Sequence, residues 1–431
     1  MSENSHTIER KSLCPGGRFT AISDTRFKTG RISVCFLLPL QEETAAAYAI
    51  VPYLLRRACA AYPDFTKLNE RLAALYGASL HAEVQKIGEV QCMALSASAL
   101  DDRYTLDGEA IAGELSELVC KMLLEPAFDG EGAFRREDFE QEQRQLTERI
   151  EAEQSDKRSY AKKRCEEEMC ADEAFGISRY GTLEEVAALT PERAKEAWER
   201  LLRRGRIEVF ALTSGEPEQV YDTFSRYFSS IERGETAHCE TLVVERSEDV
   251  TEVGERMDIT QAKLVMGFRA GTAEPDDDVM SARMMTAMWG GTPHSKLFLN
   301  VRERLSLCYY CAARYDRNKG IVLVECGIEK QNKQAAQDEI LRQLELMKSG
   351  EFTAEELDQA KLSITNSFKT LTDTPHGLVA WMINQCLDRE VMTVDEAVEQ
   401  TRAIQRDQVI AAARRVTLDT VYLLSEGEER A

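Results

Sequence analysis

Apolar and polar positions along the chain fall into one series of segments that occurs twice. In the first half, the apolar, β-branched run Ile32 to Leu40 predicts a strand. A helical pattern follows over Ala45 to Ala60, and a second over Thr66 to Leu75 closes at Tyr76-Gly77, where glycine suits a helix C-terminus. Two alternating runs, Ser79 to Lys86 and Val90 to Ser98, predict strands. Helical patterns cover Leu106 to Leu123 and a long charged stretch from Arg136 to Cys170. Thr190-Pro191-Glu192 opens another helix, with threonine as N-cap and proline in the first turn, and the run Ile207 to Leu212 predicts the closing strand.

The second half repeats that order. Lys263 to Ala270 predicts a strand, Asp278 to Trp289 and Ser295 to Arg304 helices, and Cys308 to Tyr315 and Gly320 to Ile328 strands. Gln334 to Lys348 reads as a helix, and Thr353-Ala354-Glu355-Glu356 has the form of a capping box for a helix reaching about Leu371. Val394 to Val416 is helical in pattern, and Thr420 to Leu424 is the last strand. An offset of roughly 210 to 230 residues is domain duplication rather than a solenoid period. The expected organisation is an N-terminal domain over 1–231, a polar linker over 232–256 and a C-terminal domain over 257–431. The expected fold class is α+β: two homologous two-layer domains, each a mixed, mainly antiparallel sheet with helices on one face.

Composition narrows the classes of function. Of 431 residues, 43% are hydrophobic and 30% charged, which is globular composition. The formal net charge of -21, with no basic stripe, argues against nucleic acid and against anionic membrane surfaces as partners. The polar N-terminal stretch Met1 to Lys11 has no apolar signal core, and no apolar run approaches a membrane span, so a cytoplasmic location is expected. The cysteines are spread through apolar segments such as Ile32-Ser33-Val34-Cys35-Phe36, a pattern of buried thiols rather than of a disulfide framework.

The most specific motif lies in the second half: Gly290-Gly291-Thr292-Pro293-His294-Ser295-Lys296-Leu297-Phe298, then Val301-Arg302-Glu303 and Leu307-Cys308-Tyr309. It resembles the signature of the M16 family (insulinase, pitrilysin, mitochondrial processing peptidase), with Lys296 in place of the usual arginine. Leu75-Tyr76-Gly77-Ala78 in the first half resembles the inactive YmfF-like branch associated with elongation factor P modification. Members of that branch resemble the non-catalytic half of a two-subunit peptidase.

Active members of the family carry His-x-x-Glu-His on the first long helix, which sets two imidazoles and a general-base carboxylate on one face. The equivalent helix here reads Ala49-Ile50-Val51-Pro52-Tyr53-Leu54-Leu55-Arg56. The resemblance places Pro52 at the first histidine, Leu55 at the base and Arg56 at the second histidine. Proline and leucine offer no lone pair to zinc, arginine is permanently cationic, and without a base no water is activated. Glu148 resembles the later metal-ligating glutamate, standing alone without imidazoles. The five histidines, His6, His81, His238, His294 and His376, show no zincin spacing. No metal or other cofactor is therefore expected.

Arg302 and Tyr309, seven positions apart, resemble the family's substrate clamp, in which the guanidinium donates to a peptide carbonyl and the phenol stabilises a developing oxyanion. The Cys308-x-x-Cys311 spacing is that of a redox or half-zinc motif, but in a regular strand residues three apart face opposite sides, and buried structural thiols are the expectation. Gly290-Gly291 lacks a phosphate-loop context and reads as a turn. The resemblance implies a non-catalytic subunit that contributes a chamber wall and a peptide clamp to a zinc-bearing M16 homologue, as a heterodimer. The rival expectation is a peptide-binding or scaffold protein, homodimeric or single, with no peptidase activity.

Overall fold

The structure is a computed structural model; it describes residues 6–215, 217–388 and 390–427. Residues 1–5 of the polar N-terminal stretch lie outside the described residues. In the first half the elements are β1 (His6–Cys14), β2 (Gly17–Asp24), β3 (Thr29–Pro39), α1 (Glu42–Leu55), α2 (Phe65–Ala74), β4 (Ser79–Ile87), β5 (Val90–Leu100), α3 (Ile111–Leu124), α4 (Arg136–Ser155), α5 (Lys157–Met169), α6 (Leu183–Ala187), α7 (Pro191–Arg204), β6 (Arg206–Thr213) and α8 (Glu218–Phe228). The second half contains β7 (Thr251–Met257), β8 (Ala262–Arg269), α9 (Val279–Thr286), β9 (Cys308–Asp316), β10 (Ile321–Ile328), α10 (Lys333–Ser349), α11 (Ala354–Leu371), α12 (Pro375–Ile383), α13 (Val394–Ala403), α14 (Arg406–Arg415) and β11 (Thr417–Glu426). Two π-helical segments, Ala287–Gly291 and Phe298–Arg304, lie between α9 and β9.

The chain forms two compact units. One contains residues 1–150, 177–240 and 371–387; the other contains 151–176, 241–370 and 388–431. Each unit thus includes a segment from the opposite half of the sequence.

The first unit is built on a six-stranded sheet in the order β1-β2-β6-β3-β5-β4. Only β2 and β6 run parallel; the other pairs are antiparallel. The second unit has five strands in the order β7-β11-β8-β10-β9, with β7 and β11 parallel and the rest antiparallel. Leaving aside β1, the two sheets share one topology strand for strand. That identity is the structural form of the repeat seen in the apolar pattern, and the two homologous α+β domains expected from it are present.

Period-2 alternation sets the layers. In β3, Ile32, Val34, Phe36 and Leu38 join the core made with α1, α3 and α7. The other face of β3 carries Ser33, Cys35 and Leu37, all buried, and α12 packs against β3 and β6. In the second unit, α5 covers Val265, Leu323, Tyr422 and Leu424 through Ala161 and Cys165. On the opposite face the Phe268 and Trp289 rings meet edge to face at 5.0 Å.

The long charged helix expected over Arg136 to Cys170 is two helices. Asp156 breaks it and caps α5 by accepting from the Arg158 backbone N–H; α4 belongs to the first unit as far as Ile150, and its end, with α5, to the second. Strands β1 and β2 precede the first expected strand, and β7 occupies the end of the expected linker stretch. Strand β1 (HTIERKSLC) is an edge strand dense in charge, with little apolar alternation to mark it.

Buried charges are compensated within each unit. Arg269, 3% exposed, donates to Asp419 at 2.7 Å, to Glu173 at 2.7 Å and to the Met169 carbonyl at 2.7 Å. Glu208 on β6, 1% exposed, accepts from Arg18 at 2.9 Å and Arg206 at 2.8 Å, all on Oε1. Its Oε2 has no hydrogen-bond partner among the described residues. Burial pushes the Glu208 carboxyl up to about 7 against the opposing pull of Arg206.

Candidate functional site

Two places require description, one in each unit. In the first unit, α1 is a run of small and apolar residues, EETAAAYAIVPYLL, buried from Ala45 to Leu55 except for Ala47. Pro52 lies inside its last turn and is buried, Leu55 is 2% exposed, and Arg56 is the half-buried C-cap. The neighbouring Arg57 reaches α4, donating to Asp138 at 2.7 Å, Gln141 at 2.8 Å and the fully buried Glu142 at 2.9 Å.

Helix α4 buries Phe139, Glu142, Leu146 and Ile150, a stripe at helical spacing. Glu148 falls off that stripe and is exposed. Its neighbour Arg149 flanks the stripe and lies over the Tyr53 ring, 4.0 Å from the centroid. Burial, with Tyr180 nearby and Arg149 opposing, raises the Tyr53 phenol well above its ordinary range. Two guanidiniums therefore occupy the contact between α1 and α4. Among the described residues no group of three or more His, Cys, Asp or Glu could hold a metal ion. The donor chemistry of Pro52, Leu55 and Arg56 does not fit zinc, and no step through a metal is derived. Sequence reasoning missed Arg57 and Arg149; the phase of α4 was the signal that pointed to the second.

In the second unit, Gly290 closes the first π-helical segment against β9. A Cβ there would come within 2.9 Å of the Ala313 backbone nitrogen, so glycine is required by close approach. Lys296, 9% exposed, reaches Glu356 at 3.3 Å. Arg302, in the second π-helical segment, stacks over Phe298 at 4.7 Å and sits 3.5 Å from Glu303. Leu299, Leu305 and Tyr309, nearby in sequence, are 44%, 45% and 65% exposed.

Strand β9 is the edge of its sheet, and its start is bulged. Tyr310 pairs with Gly327 and Cys308 with Ile328, so Tyr309 is the extra residue, opposite nothing. Its hydroxyl has no hydrogen-bond partner among the described residues. Arg302 and Tyr309 are thus both on the surface, free of any bond to each other.

The bulge also changes the reading of Cys308-x-x-Cys311. Cys308 pairs with Ile328 and Cys311 with Cys326; partners two apart on β10 share a face, so the two cysteines lie on the same side. The regular-strand expectation that they face opposite sides is corrected by one inserted residue.

Known proteins share features with this chain in sequence and in fold. The sequence profile of the "Peptidase M16 inactive domain" matches residues 188–364. Over that stretch the chain is similar to the M16 peptidase family, and its first long helix, α1, carries no His-x-x-Glu-His motif. It is 28% identical over 428 residues to the "Probable inactive metalloprotease YmfF" of Bacillus subtilis (strain 168), covering 98% of this chain and 99% of that one. It is 23% identical over 249 residues, 57% of this chain and 61% of the relative, to the "Antilisterial bacteriocin subtilosin biosynthesis protein AlbE" of the same organism. A conserved protein from Enterococcus faecalis V583 superposes with a TM-score of 0.89 at 25% identity, covering 98% of this chain and 100% of that chain. The M16 inactive domain structure from Pseudomonas fluorescens shares the fold, with a TM-score of 0.78 at 12% identity and coverage of 99% and 100%. No helix among the described residues is long and apolar enough to cross a membrane.

Proposed function

We propose that this chain is the non-catalytic subunit of a two-subunit, cytoplasmic M16-type peptidase, presenting Arg302 and Tyr309 to an extended peptide while a zinc-bearing homologue supplies metal and base. The observation that carries the reading is the contrast between the two places. Arg57 and Arg149 fill the helix contact where metal chemistry would be needed. Tyr309, by contrast, is turned outward by a bulge with its hydroxyl unbonded. Bulges that re-aim a side chain recur beside functional sites. Strand β9 is a sheet edge, so a peptide can pair with its open backbone groups next to the phenol and the guanidinium. The exposed Leu299 and Leu305 give apolar contact to side chains of such a peptide.

A second reading, a peptide-binding or scaffold protein (homodimeric or single) with no peptidase partner, is favoured by the similarity to a bacteriocin biosynthesis protein. Mixing the pure chain with a homologue that carries intact His-x-x-Glu-His separates the two. The first reading expects a complex at micromolar concentration and hydrolysis of unfolded peptides by the pair, slowed at least tenfold by Arg302→Ala with Tyr309→Phe. Peptide binding without complex formation supports the second reading and removes the first.

A further inference from the structure

Beneath Tyr309 lies a group of three thiols. Cys311 on β9 stands directly across from Cys326 on β10, and the bulge turns Cys308 to the same face. The three are 9%, 4% and 1% exposed, in that order. The Cys308 thiol is close enough to Cys311 and Cys326 to feel both electrostatically, and those two to feel one another. The neighbouring Cys311 and Cys326 thiols pull the Cys308 thiol down and outweigh its burial, with Arg302 adding to the effect, while the Cys311 and Cys326 thiols are pushed up. One sulfur is thus favoured as the thiolate, and two protonated thiols share its face of the β9–β10 pair. Residues directly opposed in an antiparallel pair have their Cβ atoms about 4.5–5.5 Å apart, close enough for a disulfide with a small adjustment.

We propose that Cys308, Cys311 and Cys326 form a peroxide-oxidisable thiol site whose disulfide staples β9 to β10 and regulates the Arg302–Tyr309 surface. The regulatory part rests on the proposed peptide-binding function; the oxidation chemistry does not. The Cys308 thiolate attacks one oxygen of a hydroperoxide, the O–O bond breaks, and the departing alkoxide or hydroxide takes a proton to leave as alcohol or water. The sulfur is then a sulfenic acid. The Cys326 thiol, giving up its proton, attacks that sulfur; the S–O bond breaks, water leaves, and an S–S bond joins the strands. In total two thiols lose two electrons and two protons to one peroxide. Exchange with the Cys311 thiol moves the bond to the directly opposed Cys311–Cys326 pair and keeps the strands joined. A dithiol reductant reverses the change. A Cys308–Cys326 bond spans the register shift and a Cys311–Cys326 bond ties the strands beside it; either limits movement of the backbone from which Tyr309 projects.

The test treats the full-length chain with stoichiometric hydrogen peroxide, blocks remaining thiols and maps tryptic fragments. Residues 305–314 carry both Cys308 and Cys311, and residues 320–330 carry Cys326. The expected product is these two fragments joined, with a loss of about 2 Da that dithiothreitol restores. Cys326→Ala abolishes the joined pair. The wild-type map needs no variant to fold. If peroxide oxidises Cys14 or Cys239 while the three thiols stay reduced, the oxidation site is refuted. Affinity for an unfolded peptide is expected to change at least threefold between the reduced and stapled forms. If reduced protein binds peptide and the stapled form binds it equally, the regulatory claim fails. If reduced protein binds no peptide, the proposed peptide-binding function falls, and the fragment map still decides the staple.

Discussion

The Arg149 guanidinium lies over the ring of Tyr53, 4.0 Å from its centroid, and so places a fixed cation where α4 meets α1. Glu148, one position earlier, is exposed. Buried Pro52 and Leu55 on α1 and the outward phase of Glu148 on α4 leave no donor set for zinc at this contact among the described residues.

This relationship makes a prediction about metal. Zinc or a chelator is expected to leave the melting temperature of the wild-type chain unchanged, since a ligand that binds the native state raises it. Pro52→His, Leu55→Glu and Arg56→His combined are still expected to bind no zinc, because Arg149 faces α1. Adding Arg149→Glu to those three is expected to recover roughly stoichiometric metal by elemental analysis of the pure protein. Metal bound equally by the triple variant would show that Arg149 is no obstacle.

Tyr309 separates folding from function. It is 65% exposed and unbonded, so Tyr309→Ala is expected to cost less than about 0.5 kcal/mol in denaturant unfolding. The same change is expected to weaken peptide binding at least fivefold by calorimetry, and Tyr309→Phe to retain part of it. Equal affinities for all three proteins would remove Tyr309 from the site.

Glu208 gives a pH signature. Its carboxyl is raised by burial to about 7 in the folded chain, above its value when unfolded. A raised folded value means stability is fully present below the unfolded value and is lost as pH climbs through about 7. Glu208→Gln keeps the shape without the charge. Its stability relative to wild type is expected to rise by up to about 3 kcal/mol between pH 4.5 and 8. Chemical denaturation at a series of pH values reads this; a difference constant with pH would contradict it.

Arg269 tests how the second unit is held. At 3% exposure it bonds Asp419 and Glu173, so Arg269→Ala leaves two carboxylates without that cation. A loss of about 3–5 kcal/mol is expected on thermal or chemical unfolding. Amide exchange is expected to accelerate around Glu173, in the segment after α5, and in β11, where Asp419 lies. An undiminished unfolding midpoint would show that Lys319, also bonded to Glu173, compensates.

Much of this protein was decided by the sequence alone. The apolar series over 32–98 recurs over 263–328 because each sheet must bury the same alternating face, and that recurrence fixed the duplication and the α+β class. The absence of a zinc motif was equally legible, since it depends only on side-chain chemistry: proline, leucine and arginine cannot do the work of imidazole and carboxylate. Tertiary structure alone decided the rest. The split at Asp156 sends α5 to one sheet, and residues 371–387 leave the second half for the other; contacts remote in sequence determine both. Helix α12 is nine residues long and mostly buried, which erases the polar face that would have announced it. The bulge at Tyr309 is one residue in a register set by β10, and a strand cannot display its partner's register in its own letters. That single residue turns the phenol outward and gathers three thiols beneath it.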